Sequence, residues 1–214
     1  MTLVFIPLKS VAQTTVNPLI ITWQANNYFP ADYNGKALVT PNTLVIASAE
    51  LVQNGKLADI TGADIRWYVG NELAASGAGF KTLSFSAQQR PTGYQALRVS
   101  IKSGNSSFEN SIQIPISQPN VVISIPSLGK TAKAGSQITL QAIPFFFNAD
   151  SLRYLTFDWQ INNRRVTGEG NKVTVKVGTP QSVYQNSIPV SVTVQNSDNP
   201  YEFNKGFIML SIIQ

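Results

Sequence analysis

The side chains that most enzymes use for nucleophilic or metal chemistry are missing from this 214-residue sequence, which contains no Cys and no His. A disulfide, a thiol or imidazole nucleophile, an imidazole base and a Cys/His zinc site are therefore excluded. One catalytic spacing remains, Ser127-Leu128-Gly129-Lys130, an S-x-x-K pattern. In serine acyl enzymes a helix places that Lys beside the Ser. Here Pro and Gly flank the pattern between two strands, so a connection is predicted.

Carboxylates at matching places in the two halves of the chain are the next candidates for chemistry. Asp64 and Asp158 precede or flank the strands that contain Trp67 and Trp159. Two carboxylates that act as acid and base must lie close together, but these belong to different halves. Both are expected on solvated sheet faces. No D-x-D or EF-hand-like run is present, so no metal or other cofactor is expected.

The residue types of a Lys–Asn isopeptide staple occur near the first and last strands. Lys36 and, in the second half, Lys130 are the candidate amines, and Asn110 or Asn204 the candidate amides. Such a staple also requires a buried acid. The nearby acids are Glu109 and Glu202, and both are expected to point to the opposite strand face. The staple is therefore a minor alternative.

Two aromatic loops and one basic turn are the best candidates for binding. Their residues are Tyr28, Phe29, Tyr33, Phe145, Phe146, Phe147, Arg164 and Arg165. An exposed aromatic platform would bind a sugar ring or a protein. The alternative is packing in a core or between domains. Three consecutive strand residues cannot all face inward, so at least one Phe should be exposed or buried between domains. For the two Arg residues the alternative is a solvated turn.

The composition describes a folded chain with few charges. Hydrophobic residues make up 43% and charged residues 13%, against about 25% charged in typical domains. The abundant aromatic and β-branched residues exclude disorder. The net charge of +5 is spread thinly, without the basic stripe of a nucleic-acid-binding protein. No apolar run reaches the ~18 residues that span a bilayer.

The first residues resemble an export signal. The apolar run Leu3–Leu8 is followed by Ser10-Val11-Ala12, with small residues at the spacing that signal peptidase requires. Residues 1–12 are therefore predicted to be the remnant of a signal peptide that has lost its basic n-region. This predicts an extracellular or cell-surface location. The alternative is an apolar edge strand of the first domain.

The chain contains an internal repeat. Gly35-Lys36 recurs as Gly129-Lys130, Trp67 as Trp159, Gly77-x-Gly79-x-Lys81 as Gly168-x-Gly170-x-Lys172, and Tyr94-Gln95 as Tyr184-Gln185, each after 90 to 94 residues. Such small drifts are typical of loops that differ in length between preserved strands. Two domains are predicted, residues 13–118 and 119–214, joined at Ser117-Gln118-Pro119 by a short linker that Pro stiffens.

Within each copy the hydrophobic pattern has a period of two, which indicates strands and not helices. Short strands separated by turns predict an all-β fold of two consecutive immunoglobulin-like β-sandwich domains. Trp67 and Trp159 lie midway along the third strand of each copy, where this fold buries a Trp. Tyr94 and Tyr184 precede the penultimate strand, near the position of a tyrosine corner.

These features resemble tandem bacterial Ig-like and PKD-like domains. The resemblance is carried by Phe157–Asn163 with Val166 and Gly168-Glu169-Gly170, and by the shorter match around Trp67. Ile161-Asn162-Asn163 replaces the Phe-Gly-Asp of the PKD hallmark. The whole chain also resembles uncharacterised secreted proteins of candidate-phylum bacteria, through residues 23–30 and 142–147. The resemblance implies an exported tandem-domain protein and carries no active site.

The sequence therefore predicts a secreted or cell-surface structural or adhesive module that is not an enzyme. Its partner would be a protein or a glycan at the cell surface, and self-assembly is possible. Two alternatives stay open. One is a carbohydrate-binding module that uses the aromatic loops. The other is a fibre subunit that donates its N-terminal strand to the sheet edge of a neighbour.

Overall fold

The computed structural model describes residues 17–126, 128–179 and 186–213. In these ranges the regular elements are strands and two single-turn 3-10 segments, Leu128–Lys130 and Leu152–Tyr154. No helix of the described part is long and apolar enough to cross a membrane. The predicted signal remnant, residues 1–12, lies outside the described residues, as do Ser127 and Tyr184.

The first half of the chain forms two antiparallel sheets. One contains β1 (Leu19–Asn26), β2 (Leu44–Gln53), β3 (Lys56–Leu57) and β6 (Thr82–Ser86), with β2 between β1 and β6. The other contains β4 (Asp64–Val69), β5 (Glu72–Ala78), β7 (Tyr94–Ser103) and β8 (Ser106–Pro115), in the order β5-β4-β7-β8. Val39, which precedes β2, forms a parallel bridge with Ile116 just beyond β8.

The second half repeats this plan. One sheet contains β9 (Asn120–Ser124), β11 (Gln137–Phe145) and β14 (Lys172–Lys176), with β11 in the centre. The other contains β10 (Thr131–Lys133), β12 (Leu155–Ile161), β13 (Arg164–Val166), β15 (Ser187–Asn196) and β16 (Phe203–Ile213), in the order β10-β16-β15-β12-β13. β10 pairs with β16 in parallel. The predicted fold class, two consecutive immunoglobulin-like sandwiches, is confirmed.

Each sandwich has its own core, built around one indole. Trp67 and Trp159 are fully buried, and they belong to two separate hydrophobic clusters. Nε1 of Trp67 donates to the carbonyl of Phe80 at 2.8 Å, and Nε1 of Trp159 donates to the carbonyl of Gly170 at 3.2 Å. Each ring therefore fills the space between the sheets while its one polar atom bonds the loop before the next strand.

Several strand limits differ from the sequence prediction, and the reason is local. The turn residues Asn54-Gly55 and Asn162-Asn163 have positive φ, as two-residue hairpin turns require. The sequence pattern predicts a strand over residues 137–147 in the second half, but this strand ends at Phe145, because Phe146 has φ 64. The edge strands β3, β5, β10 and β13 have no counterpart in the period-two pattern, since their residues show no clear alternation.

An Asn on the last strand of each sandwich connects its two sheets. Nδ2 of Asn110 donates to the carbonyl of Leu19, at the start of β1. Nδ2 of Asn204 donates to the carbonyl of Pro119, just before β9. The Asn side-chain oxygens accept from the next backbone N–H, of Ser111 at 2.8 Å and of Lys205 at 2.6 Å. Asn110 and Asn204 are thus equivalent positions of the repeat.

This arrangement separates the amine and the amide of the isopeptide alternative. The Lys36 ammonium lies 3.4 Å over the ring of Trp23, in the middle of β1, whereas Asn110 bonds Leu19 at the start of this strand. Trp23 is four positions along the strand from Leu19, which is about 13 Å. Lys36 and Asn110 are therefore not placed to condense.

We expect Asn204→Ala to lower the free energy of unfolding of the second sandwich by about 1–3 kcal/mol, because it leaves the carbonyl of Pro119 without its donor. Denaturant unfolding measures this change. Asn204→Asp separates the two bonds, since it keeps the acceptor for the Lys205 N–H and places a carboxylate oxygen in place of the donor to Pro119. A variant Asn204→Asp as stable as the parent protein would contradict the role given to the sheet-connecting bond.

Candidate functional site

The loop after β1 brings most of the aromatic candidates to the joint between the two sandwiches. Residues 27–38 separate β1 from Val39, and this loop is twice as long as the corresponding one in the second sandwich, residues 125–130. It reaches the segment that follows β11. There the backbone N–H of Tyr28 donates to the carbonyl of Phe147 at 2.7 Å, and that of Phe146 donates to the carbonyl of Tyr28 at 2.6 Å. The two domains thus share a short antiparallel bridge.

Four rings pack together over this bridge. The Tyr33 ring lies 5.8 Å from that of Phe29 and 5.6 Å from those of Phe145 and Phe146, measured between centroids. The three contacts with Tyr33 are edge-to-face, the geometry that aromatic quadrupoles favour. Phe145 and Phe146 come from the second sandwich, and the other two rings from the first. The cluster therefore joins the domains through apolar contact.

Burial differs among the predicted aromatic residues. Phe147 is 0% exposed and belongs to the second core, and Phe146 is 7% exposed. Tyr28 is half-buried and packs on the same core. Burial, followed by the negative charge of Asp32, raises the pKa of Tyr28. The sequence left two alternatives open for Phe146 and Phe147, an exposed binding platform and packing. Their positions agree with packing, between the domains for Phe146 and within the second core for Phe147.

Beside the rings, two buried hydroxyl groups and a half-buried amide form a hydrogen-bond network across the joint. The Asn148 side chain donates from Nδ2 to the carbonyl of Pro41 at 2.8 Å and accepts from Oγ1 of Thr43 at 2.7 Å. Oγ1 of Thr40 donates to the carbonyl of Phe146 at 3.1 Å. Thr40 and Thr43 are fully buried. Because these hydroxyls are buried, such bonds fix orientation, since another arrangement would leave the hydroxyls unsatisfied.

A buried carboxylate holds Asn148 in place from the other side. Oε1 of Glu202 accepts from the backbone N–H of Asn148 at 2.8 Å, and Oε2 accepts from Nδ2 of Asn196 at 2.6 Å. Asn196 also donates to the carbonyl of Asn148 at 2.8 Å. Glu202 is 7% exposed. The segments before β16 and after β11 are thereby locked together, and Asn148 presents its side chain to the first sandwich.

Phe146 shows that the joint holds the backbone in an unfavourable conformation. Its φ of 64 lies in the left-handed region, which bulky residues rarely adopt. Such a conformation costs of order 1 kcal/mol or more and persists where surrounding contacts determine it. Here those contacts are the bonds of its N–H to Tyr28 and of its carbonyl to Thr40.

The remaining sequence candidates lie away from the joint. Arg165 forms a bidentate ion pair with Asp158, with both N···O distances 2.7 Å. These hydrogen bonds, and then the charge of Asp158, raise the pKa of Arg165. Arg164 is exposed on β13, opposite Ile161. Tyr94 is half-buried as the first residue of β7.

Asp64 is likewise paired with an arginine, Arg66 at 3.0 Å, and it lies in a different sandwich from Asp158. In the described ranges, no group of three or more acidic residues lies close enough together to hold a metal ion. The residues that sequence reasoning missed are Thr40, Thr43, Asn148, Asn196 and Glu202. The one sequence signal for them was the length of the loop after β1 relative to its counterpart.

Comparison with known proteins gives structural likeness alone. No protein-family model and no curated protein matches the sequence. Among solved structures, the chain is similar to the Ig1–Ig3 ectodomain of mouse nectin-like molecule 4 (TM-score 0.36, 10% identity, 92% of this chain and 64% of that one). It is also similar to a chimeric titin Z1Z2 (0.33, 11%, 92% and 97%) and to three N-terminal domains of the bacteriophage RB49 Hoc protein (0.32, 12%, 91% and 69%). These likenesses concern the fold.

Proposed function

We propose that this chain is a non-enzymatic structural and adhesive module in which two sandwiches form one stiff unit. The observation that carries the proposal is the joint, which combines a backbone bridge, an aromatic cluster and a buried polar network. Flexible tandem domains need none of these contacts. A joint of this kind is useful where a protein must hold two ends at a fixed separation.

The placement of the joint supports an end-to-end arrangement. It uses the loop after β1 and the segment before β2 of the first sandwich, and the segments after β11 and before β16 of the second. In each sandwich these lie at the ends of the strands. With about ten residues per long strand at ~3.3 Å each, two sandwiches in line span roughly 65–70 Å.

The location outside the cell is part of the proposal and rests on the sequence. The apolar run Leu3–Leu8 with Ser10-Val11-Ala12, together with the resemblance to exported tandem domains, favours export. A fold without Cys does not depend on oxidation in that environment. A partner protein or glycan at the cell surface would then be held at the distance that the two domains set.

Two alternatives use the same elements differently. Sugar binding would use the open side of the aromatic cluster, where Phe29 is 38% exposed. Its diagnostic variant is Phe29→Ala, because changes at Tyr28 or Phe146 would also break the joint. A strand-donating fibre would need an N-terminal strand that is free to leave. In the described part of the chain the first strand, β1, is paired along its whole length with β2 of its own domain, which does not favour β1 as the donated strand.

We expect a narrow distribution of distances between spin labels placed at Ser106→Cys, in the hairpin distant from the joint, and Lys176→Cys, at the far end of the second sandwich. The labels are selective because the chain has no native Cys. Pulsed electron–electron double resonance measures the distribution of these distances. The control adds Asn148→Ala, which removes two interdomain hydrogen bonds and should broaden it. A broad distribution in the parent protein would overturn the stiff-module proposal.

A further inference from the structure

The outer face of the five-stranded sheet in the second sandwich carries a row of exposed apolar side chains. Alternate residues of β16 point away from the core, and among them Phe203 and Phe207 are each 60% exposed and Met209 is 47% exposed. They stand on one strand, with the exposed Lys205 between the two Phe rings, and form a ridge. Exposed apolar side chains grouped on one face mark an interaction site more often than single exposed side chains do.

The internal repeat supplies a comparison for this ridge. Asn110 and Asn204 make equivalent bonds, so they align β8 of the first copy of the repeat with β16 of the second. In this alignment the residues equivalent to Phe203, Phe207 and Met209 are Glu109, Gln113 and Pro115. The first sandwich therefore carries a charged and an amide side chain where the second carries two Phe rings. The fold does not require apolar residues at these positions. Their presence in the second sandwich indicates that they contact another surface.

A hollow lies beside the ridge on the same face. It measures about 540 Å³ and is an open depression over β12 and β15, whose lining includes Thr156, Asp158, Arg165, Thr193 and Gln195. These side chains are short or polar, and the one ion pair among them is internally neutralised. A ridge and a hollow on one face are the two halves of a self-complementary surface.

We propose that this face binds a second copy of the same chain in a two-fold dimer. An axis that runs parallel to the strands and over β15 places β16 of each copy above β12 of the other. Neighbouring residues on β16, β15 and β12 form a row across the sheet, and each row of one copy then faces the same row of the other copy. Phe203, Gln195 and Thr156 form one row, so Phe203 of one copy enters the hollow at Thr156 of the partner subunit.

The charged residues of the face lie in the next row. Lys205, Thr193 and Asp158 form this row. Under the same two-fold axis Lys205 of one copy faces Asp158 of the partner subunit. That carboxylate is already paired with Arg165 of its own chain, so the row contributes little to the choice of register and the dimer rests on the apolar ridge.

The size of the face suits a reversible dimer. The five strands contain 34 residues. At ~3.3 Å per residue and ~4.8 Å between strands, they present about 540 Å² per copy, or about 1,100 Å² in total. This is the size of a weak, transient interface. The dimer goes beyond the stiff-module function and does not depend on it. Its face belongs to the second sandwich, and Phe203 at one end also lines a depression shared with Pro41 and Gln89 of the first sandwich.

The test is sedimentation velocity of the full chain from about 1 to 100 µM. We expect concentration-dependent dimers. Phe203→Glu combined with Phe207→Gln introduces the residues that the first sandwich carries at these positions, and should weaken the dimer at least about tenfold. Leu57→Gln is the matched control, since it removes an exposed apolar side chain from a hairpin of the first sandwich. It should leave the dimer unchanged.

A change of charge away from the face gives a second control. Lys176→Glu, on the other sheet, should leave the dimer unchanged. Circular dichroism shows whether each variant is folded. A chain that is monomeric throughout the concentration range, or a dimer that survives the double Phe replacement, would overturn the proposal. Neither result would affect the spin-label distances within one chain, which test the stiff joint separately.

Discussion

Trp159→Ala is expected to lower the free energy of unfolding of the second sandwich by about 3–5 kcal/mol. The indole is fully buried between the two sheets, and its Nε1 bonds the carbonyl of Gly170. Replacement leaves a cavity that the neighbouring backbone cannot fill. Gly168 already lies so close that an added Cβ would stand 2.6 Å from Cδ1 of the ring. Such a loss is a large part of the 5–15 kcal/mol that typically stabilises a domain.

The equivalent change, Trp67→Ala, should destabilise the first sandwich by a similar amount, because the two cores are separate clusters. Unfolding in denaturant, followed by fluorescence of the remaining indoles and by far-UV circular dichroism, should show two transitions of which only one has moved. Trp159→Phe is the conservative control, since it keeps most of the apolar volume and loses the hydrogen bond. Equal destabilisation of both sandwiches by either Ala variant would show that the cores are not independent.

Glu202→Ala should have the second-largest effect, about 2–4 kcal/mol, because it leaves two buried donors without their acceptor. These are the backbone N–H of Asn148 and Nδ2 of Asn196. Since Asn148 carries the contacts to Pro41 and Thr43, the change should also loosen the joint. Denaturant unfolding measures the first effect, and the width of the spin-label distance distribution measures the second.

Two variants make this result specific to the buried carboxylate. Glu202→Gln keeps one acceptor oxygen and should lose less than half as much stability. Glu169→Ala removes an exposed carboxylate of the same sandwich and should change stability by less than about 0.5 kcal/mol. If Glu202→Ala destabilised the second sandwich and left the distance distribution unchanged, Asn148 would not be the link through which the two domains are oriented.

The fold could be predicted because its determinants are local. A period of two in β2, β7 and β15 sorts side chains between core and solvent, and Asn-Gly or Asn-Asn turns join neighbouring strands. The repeated Trp then identifies the strand at the centre of each sandwich. Each of these signals acts within about ten residues, the distance over which a sequence pattern determines structure.

The joint could not be predicted, because it depends on residues that lie more than a hundred positions apart. Thr43 and Asn148 are ordinary turn residues in the sequence, and only the folded chain brings them to 2.7 Å. Glu202 precedes a strand, where an acid is usually solvated, yet it is buried. The positive φ of Phe146 likewise has no signal in its own side chain. Long-range satisfaction of polar groups overrides local preference at each of these positions.

The parallel pairing of β10 with β16 determines how the second sandwich would respond to tension. A pull that separates the N-terminal side of β10 from the C-terminal end of β16 acts along both strands, and their hydrogen bonds lie across that direction. The bonds of Thr131–Lys133 would then be loaded together in shear instead of being opened one after another. This sandwich is therefore oriented to bear mechanical load along its long axis.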